Sequence, residues 1–424
     1  MKILILSLET WKNDTNGGNV LSNLFENFDA EYAQIYCSAG MPQNNICKKY
    51  FQMTDAMAIK NIVKKENMGQ EIIIDNFKIN NELDIDNTIN KIKNKGNFGF
   101  LRVFRQIVWA LSNYKNERLK KFILDFNPDI IFAPCYGSTY MLSLTRYVAK
   151  LTNKPVISYI SDDFYSFKQI NLSPVFWINR LIIRKKVRQT WKYYSLIYTM
   201  TDTQKEVMSK LGKPIKILKK SGTFNKYNEK KKQEYPIKIV YAGGIYLNRW
   251  KTLVKIANIL NKIDKSGNLL RLDIYTNNRV NKKTYDKLNT GNSHFHKSVE
   301  YSELKKIYKS SDIALHVESF DIRNRLSVRM SFSTKIIDCL DSECAVMAIC
   351  DKKQGGFQYL KKEDAAICID SLNKIENVFK NILNNPNILN EYRKKAYECG
   401  KRNHQKTIND KILQNDFERL ANKK

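Results

Sequence analysis

The sequence predicts an α/β protein made of two doubly wound, Rossmann-like halves in tandem. Three observations predict it. Short apolar, strand-like runs alternate with amphipathic helical stretches along most of the 424 residues, as parallel sheets with crossover helices require. The alternation stops at residues 219–236, KKSGTFNKYNEKKKQEYP, which are charged and aperiodic, and then restarts. A glycine pair follows the first strand of each half, Gly17-Gly18 and Gly243-Gly244. The expected organisation is an N-terminal domain over 1–220, a linker over 221–236, a C-terminal domain over 237–400 and a helical segment over 401–424. Two such domains facing each other leave a cleft at the carboxyl ends of their strands, where open parallel sheets bind ligands.

In the first half, Lys2–Leu8 is a buried strand, a helix runs from Gly17 to Phe28, and Tyr32–Cys37 is the next strand. Residues 40–100 are polar and Asn-rich and read as one or two insertions. A basic helical stretch covers Arg102–Phe126, and the Asn-Pro break then leads into the strand Asp129–Ala133. Helix Ser138–Leu151, strand Val156–Ser161, a helix over 174–194 and strand Leu196–Met200 follow. Helix Thr201–Leu211, capped by Thr201 or Asp202, and strand Ile215–Leu218 complete the half.

The second half opens with strand Ile237–Ala242, followed by helix Trp250–Ile263, strand Leu270–Tyr275 and helix Tyr301–Lys309, for which Ser302 is the expected N-cap. Strand Ile313–Val317, helix Thr334–Leu340 and strand Ala345–Ile349 come next. Gly355–Leu360 and Leu372–Leu383 are helical with strand Ala366–Ile369 between them, and 387–424 is helical and charged.

Lys and Arg number 72 against 42 acids, a formal net charge of +30. Nucleic acid, an anionic membrane face or phosphorylated substrates would each suit that charge. So would a Lys-, Asn- and Ile-rich composition of the kind AT-rich genomes encode. No zinc-finger, RNP-type or helix-turn-helix signature accompanies it. No stretch reaches the roughly 20 apolar residues that span a bilayer, and MKILILSLETW turns polar too soon for a signal peptide. The eight cysteines form no C-x-x-C pair and read as reduced and buried. His294 and His296 make an H-x-H pair without a Cys or acidic complement, so no metal site is expected.

Four segments could carry chemistry. Gly17-Gly18 is either a tight turn or a place where backbone approaches an anion at a helix N-terminus. It is not a G-x-G-x-x-G fingerprint. After Gly243-Gly244, Arg249 and Lys251 stand in the first turn of a helix, where cations oppose the dipole and need another reason to be there; a diphosphate would supply one. The segment Val299–Leu304 reads as a capped helix start. In SFSTKIIDCL, Ser333 or Thr334 can cap a helix and offer N–H groups to a phosphate, and Asp338 lies a turn beyond Thr334 and Lys335. Asp338 either accepts hydrogen bonds from a ribose diol or simply faces water.

These segments resemble the GT-B glycosyltransferases grouped in glycosyltransferase family 4. IVYAGGIYLNRWKTLVKIANIL, VEYSELKKIYKSSDIALHVES, SFSTKIIDCLDSECAVMAI and NGGNVLSNL match, in order, the family's glycine turn with its Arg/Lys helix, its aspartate-led strand, its donor-binding helix and its N-terminal glycine loop. The resemblance is strongest over 237–350 and implies a GT-B fold of two Rossmann-like domains around a central cleft. It implies that Arg249 and Lys251 hold the donor diphosphate and stabilise the leaving nucleotide. Gly243, Gly244, Val299, Ser333, Thr334 and Lys335 would border the donor, Asp338 would take the ribose position, and Gly17 and Gly18 would line the cleft. Asp162 would face the sugar or acceptor, although Asp162-Asp163 also reads as a loop turn. A nucleotide sugar would be the substrate, with no cofactor and no metal, and anomeric configuration would be retained.

The chain departs from the family in three places. Met330 stands where the first of two acids eight residues apart belongs, and Glu318 is the available substitute. Arg323, Arg325 and Arg329 make that loop basic, with Arg329 a candidate phosphate ligand. Glu343-Cys344-Ala345 replaces Gly-x-Pro.

One further segment bears on partners. PVFWINRLIIRKKVRQTWKYY, 174–194, carries six cations and no acid. Val175, Ile178 and Ile182 form a stripe beside Trp177, with Arg184, Lys185, Lys186 and Arg188 following, and Phe104, Ile107, Val108 and Trp109 repeat the theme. Either these helices dock on an anionic membrane, or their apolar stripes pack on the sheet. The first reading is of a cytoplasmic, peripheral bacterial enzyme that glycosylates a lipid-linked acceptor during surface-polysaccharide assembly. The alternatives are an inert transferase-like partner subunit and a basic nucleic-acid-binding protein.

Overall fold

A computed structural model describes residues 1–13, 16–72, 98–225, 227 and 234–422. The chain divides into two compact units: Met1–Phe167 with Asn171–Leu218 and Asn409–Lys424, and Lys168–Ile170 with Lys219–Ile408.

The first unit contains β1 (Lys2–Ser7), α1 (Asn16–Phe25), β2 (Glu31–Tyr36), β3 (Lys49–Gln52), α2 (Asp55–Lys64), β4 (Gln70–Ile72), α3 (Phe98–Leu111) and α4 (Glu117–Phe126). It continues through β5 (Ile130–Phe132), α5 (Thr139–Thr152), β6 (Val156–Ile160), α6 (Pro174–Trp191), β7 (Tyr194–Thr199), α7 (Asp202–Ser209) and β8 (Ile215–Ile217). The sheet order is β4-β3-β2-β1-β5-β6-β7-β8. All its pairings are parallel except β3 with β4. Residues 3–6 of β1 and all of β5 are apolar because both their faces are buried. The order reverses between β1 and β5, which makes that point the place for a ligand.

The insertion expected over 40–100 supplies β3, α2 and β4; its residues 73–97 lie outside the described residues. The single helix expected over 102–126 is two, because Asn116 caps α4 by accepting from the Leu119 amide at 3.0 Å. Thr201 is the N-cap of α7, accepting from Gln204 N.

The second unit holds β9 (Ile237–Ala242), α8 (Arg249–Ile263), β10 (Leu270–Thr276), α9 (Lys282–Leu288), β11 (Ser293–Lys297), α10 (Tyr301–Lys309), β12 (Ile313–Val317) and α11 (Ile322–Val328). Then come α12 (Lys335–Leu340), β13 (Ala345–Ile349), α13 (Gly355–Lys362), β14 (Ile367–Ile369), α14 (Ile375–Asn384) and α15 (Asn387–His404); α16 (Lys406–Ala421) follows and from Asn409 belongs to the first unit. The sheet is parallel, ordered β11-β10-β9-β12-β13-β14, the dinucleotide-fold order with its reversal between β9 and β12.

Four expectations need correction. The basic loop at 323–329 is mostly the helix α11. Ser302 lies inside α10, whose N-cap is Glu300 without a side-chain bond. The stretch read as a linker is built into the second unit: Gly222 N donates to His404 O at 3.0 Å, and Phe224 N to Asp341 Oδ1 at 2.7 Å. Its residues 226 and 228–233 lie outside the described residues. The segment 401–424 is not separate, because it completes α15 and then forms α16 on the first unit. Phe417 packs against Phe25 and Phe28 with ring centroids 5.9 and 5.3 Å apart. Asp416, almost fully buried, accepts from Tyr198 OH at 2.9 Å and pairs with Lys216 at 2.6 Å. All eight cysteines are free thiols.

Candidate functional site

The reversal point of the second sheet gathers most of the residues singled out in the sequence. Gly243 leaves β9 with φ +143°, and a Cβ there would lie 2.6 Å from Lys335 Cδ. Glycine is therefore required for the Lys335 side chain to cross the turn. Lys335 Nζ donates to Tyr241 OH at 3.1 Å, and that hydroxyl donates to Gly244 O at 2.7 Å. Asn278 accepts from Ile245 N at 2.7 Å and fixes the far side of the turn. Nothing in the local sequence marked Asn278, which arrives from the loop after β10.

Arg249 does not stand ready for an incoming diphosphate. Its Nε and Nη2 meet Glu318 Oε2 and Oε1 at 2.8 and 2.9 Å, a bidentate pair with both side chains buried. Burial opposes the charge on Arg249, and the Glu318 carboxylate more than offsets this, so the net shift of its pKa is upward. Lys251 Nζ lies 3.5 Å from Asp321 Oδ2, which also accepts from Asn248 Nδ2 at 2.5 Å. The cations that oppose the α8 dipole thus have carboxylate partners supplied after β12. Glu318 borders the turn as the counter-ion of Arg249 rather than as a separate donor ligand. Among the described residues no carboxylate pairs with Lys335.

Asp338 is half-buried, and Lys220 Nζ holds its Oδ1 at 3.0 Å. Ser333 and Thr334 precede α12, and Thr334 makes no side-chain cap bond. Val299 is exposed between β11 and α10, and Arg329 is buried at the end of α11. Glu343 takes the left-handed conformation, φ +62°, at the turn where the family pattern has glycine. Among the described residues no group of three His, Cys, Asp or Glu side chains could hold a metal ion.

In the first unit Gly17 and Gly18 fall in the first turn of α1. A Cβ on Gly18 would lie 1.8 Å from Lys12 O, so close packing of backbone on backbone demands glycine there. The reversal between β1 and β5 opens a cavity of about 460 Å3 bordered by Leu8, Tyr136, Ser138, Asp162, Asn179 and Arg180. Asp162 is exposed at this cavity. Asp163 is the turn former, since its Oδ1 accepts from Tyr165 N at 3.2 Å and from Ser166 N at 2.8 Å.

The α6 stripe does not pack on the sheet. Ile178, Leu181 and Ile182 are 46–59% exposed, while Asn179, Arg180, Ile183 and Val187 face inward. Phe104, Ile107 and Leu111 of α3 are exposed as well, and Val108 and Trp109 are buried. Gln106 Nε2 donates to Asn179 Oδ1 at 2.8 Å, so the two helices are neighbours. Arg184 and Arg188 turn back onto the loop after β6: Arg184 donates to Tyr165 O, and Arg188 Nε lies 3.0 Å from Tyr165 OH. Lys185 points to solvent and Lys186 is half-buried. Trp177 is half-buried, its indole N–H bonded to Asn171 O at 2.8 Å.

Residues 251–408 match the family described as glycosyl transferase-like. No curated protein matches the chain. Among solved structures, the E. coli structure described as trehalose-6-phosphate bound with UDP-2-fluoro glucose has a TM-score of 0.63 at 8% identity, covering 99% of each chain. Anabaena HepE in complex with UDP has a TM-score of 0.63 at 9% identity, over 99% of this chain and 100% of that one. The UDP-forming trehalose-phosphate synthase of Burkholderia xenovorans in complex with glucose-6-phosphate has a TM-score of 0.60 at 9% identity, over 98% and 100%. At these identities the likeness is one of fold, and the fold is GT-B. The family match lies wholly within the second unit.

Proposed function

We propose that the chain transfers a sugar from a nucleoside diphosphate sugar to a lipid-linked acceptor at an anionic membrane face, in the assembly of bacterial surface polysaccharide. The observation that carries the donor half is the Gly243-Gly244 turn crossed by Lys335, the lysine lying within the segment 251–408 that matches the glycosyl transferase-like family. Neighbours of the same fold were solved with UDP and UDP-glucose, which favours a uridine diphosphate donor. The diphosphate lies along the glycine turn, with Lys335 beside it and Lys251 reaching it from Asp321. Developing charge on the leaving nucleotide is met by these cations and by the amides of Ser333 and Thr334, in place of a metal. Arg249 acts through Glu318 to fix the turn. Asp338 accepts from the ribose diol through Oδ2, and Val299 borders the base. Transfer proceeds with retention and without a cofactor.

The membrane half is supported by the exposed apolar faces of α3 and α6, rimmed by Lys185 and Lys186. No helix among the described residues is long and apolar enough to cross a membrane, so docking is peripheral. The glucose-6-phosphate held by the Burkholderia neighbour favours a second reading, a soluble sugar-phosphate acceptor.

Thermal unfolding with UDP, GDP, ADP and CMP in EDTA tests the donor half. A ligand at 100 times its Kd adds about 2.7 kcal/mol. A shift with UDP alone is expected; no shift with any nucleotide would refute the reading. Flotation with vesicles of phosphatidylglycerol and phosphatidylethanolamine tests the membrane half. The Ile178→Asp, Leu181→Asp variant should stay at the bottom of the gradient while the parent floats. A parent that does not float, or a patch buried in a dimer in solution, selects the soluble acceptor.

A further inference from the structure

In the first unit, four cations gather where α5 meets α6: Lys115, Arg146, Lys150 and Lys186. Ser143, Arg146 and Lys150 are three and four residues apart on α5 and share one stripe of that helix. Lys115, in the turn after α3, is drawn onto the stripe, because its Nζ donates to Ser143 Oγ at 2.8 Å. Arg146 is tied to α6: its Nη1 donates to Thr190 Oγ1 at 2.7 Å and to Lys186 O at 3.4 Å. Its Nε and Nη2 have no acceptor among the described residues. Lys115 and Lys150 are exposed, and Arg146 and Lys186 are half-buried.

The cluster opposes its own charge. Burial, then the neighbouring Arg146, Lys186 and Lys150, lower the pKa of Lys115, and burial lowers that of Arg146. At the second reversal point such a cost is met by a carboxylate, as Glu318 meets Arg249. Here no carboxylate among the described residues pairs with any of the cations. Glu117, on the next helix, is bonded to Lys120 at 3.2 Å. The missing partner is therefore an anion from outside the chain, and the unbonded Nε–Nη2 edge of Arg146 has the fork that matches two phosphate oxygens. The position of the cluster says what carries that phosphate. Lys115 follows the exposed Leu111 by four residues, and Lys186 follows the exposed Ile182 by one helical turn. An apolar face with cations a turn beyond it reproduces the order of depth in a membrane leaflet, acyl chains and then phosphates. A soluble phosphate has no use for the apolar flank.

We infer that Lys115, Arg146, Lys150 and Lys186 form a discrete binding site for the phosphate of an anionic phospholipid headgroup. The inference rests on the membrane half of the reading above and adds a site that holds one lipid, in place of a diffuse attraction between a basic protein and a charged surface. Lys115, Arg146 and Lys150 lie outside the basic amphipathic stretches themselves, so the sequence did not single them out.

Titration of the full chain with phosphatidylglycerol–phosphatidylethanolamine vesicles, read by flotation, tests it. Arg146→Lys keeps the charge and loses the fork, so vesicle affinity should fall about ten-fold; a diffuse attraction would leave it unchanged. Lys115→Gln and Lys150→Gln should each cost more than the about five-fold that one cation near an anionic surface is worth. Lys185→Gln, whose side chain points to solvent, should cost no more than that. Lys115 and Lys150 are exposed, so their variants stay informative if loss of the Thr190 contact unfolds the Arg146 variant. Parental affinity in a folded Arg146→Lys, or Lys115→Gln and Lys150→Gln no weaker than Lys185→Gln, would overturn the site. A thermal shift with glycerol phosphate alone that Arg146→Lys abolishes would overturn the lipid assignment in favour of a soluble phosphate. A parent that does not float would strike the membrane reading itself, and this site with it.

Discussion

The two sheets reverse strand order in the same way, yet their reversal points are built from different chemistry. In the second unit the point is crowded with ions: Arg249 with Glu318, Lys251 with Asp321, Lys220 with Asp338, and Lys335 over the glycine turn. In the first unit it is a recess of aromatic rings, amides and hydroxyls with its guanidinium groups already bonded. The crowded point is the proposed site of the donor diphosphate. The difference teaches that the fold fixes where ligands go, while the side chains after each strand fix what kind.

The largest effect expected from breaking this contrast is at Glu318. Removing one partner of a buried ion pair leaves the other charge uncompensated, at a cost of about 3–5 kcal/mol. Glu318→Ala should lose that much stability in urea unfolding, and the double variant with Arg249→Met should recover part of it. Single and double variants of equal stability would show that the pair does not hold the turn.

Acid should strain the second unit in a way the first cannot share, since all four histidines, His294, His296, His316 and His404, belong to the second. Burial, then the nearby Lys219, lowers the pKa of His404 from 6.5 to about 3, and its Nε2 lies 2.6 Å from Tyr359 OH. The folded protein therefore prefers the neutral ring. Its contribution is fully present above pH 6.5 and is lost as pH falls towards 3, at about 1.4 kcal/mol per unit of pKa difference. His404→Gln should flatten the stability profile over that window. An unchanged slope would place the acid sensitivity among the carboxylates.

A smaller and more local effect is expected at Asp338. Asp338→Asn keeps the size of the side chain but removes the charge from the Lys220 pair and from the proposed ribose contact. Nucleotide affinity should fall by about 1.5–3 kcal/mol, the worth of hydrogen bonds to a charged group, as read by calorimetric titration. Unchanged affinity in the folded variant would leave Asp338 as a partner of Lys220 only.

How much of this was legible follows from how local each cause is. Strands Ile313–Val317 and Ala345–Ile349 and helix Tyr301–Lys309 stand where the sequence places them, because their apolar runs and flanking polar residues are contiguous. Helix α9 and strand β11, KKTYDKL and SHFHK, were missed because neither carries an apolar period of its own. At the site, sequence order brought Arg249, Lys251 and Lys335 into view as cations near a glycine turn. It could not show that Glu318, 69 residues on, is bonded to Arg249, or that Asp55 is bonded to Arg105 across 50 residues. The α6 stripe was visible as periodicity, but a period does not say which face is outward. Arg180, Asn179 and Val187 face inward and leave Ile178 and Leu181 outside.

The smallest expected effect tests a departure that the sequence did expose. Glu343 stands in the left-handed region at φ +62°, where a residue with a Cβ is disfavoured by about 1–2 kcal/mol. Its only described ionic partner is Lys309 at 3.8 Å, an exposed contact of little worth. Glycine relieves the strain but makes the unfolded chain more flexible, which takes back part of the gain. Glu343→Gly should therefore raise the urea midpoint slightly, by less than about 1 kcal/mol, with the slope unchanged. The turn precedes β13, and β13 pairs with β12, which ends one residue before Glu318. A variant that gains stability but loses UDP affinity would mean that the strained turn positions the ion pair at the second reversal point. A gain with affinity unchanged would mean that the strain is local and that the ion pairs alone define that site.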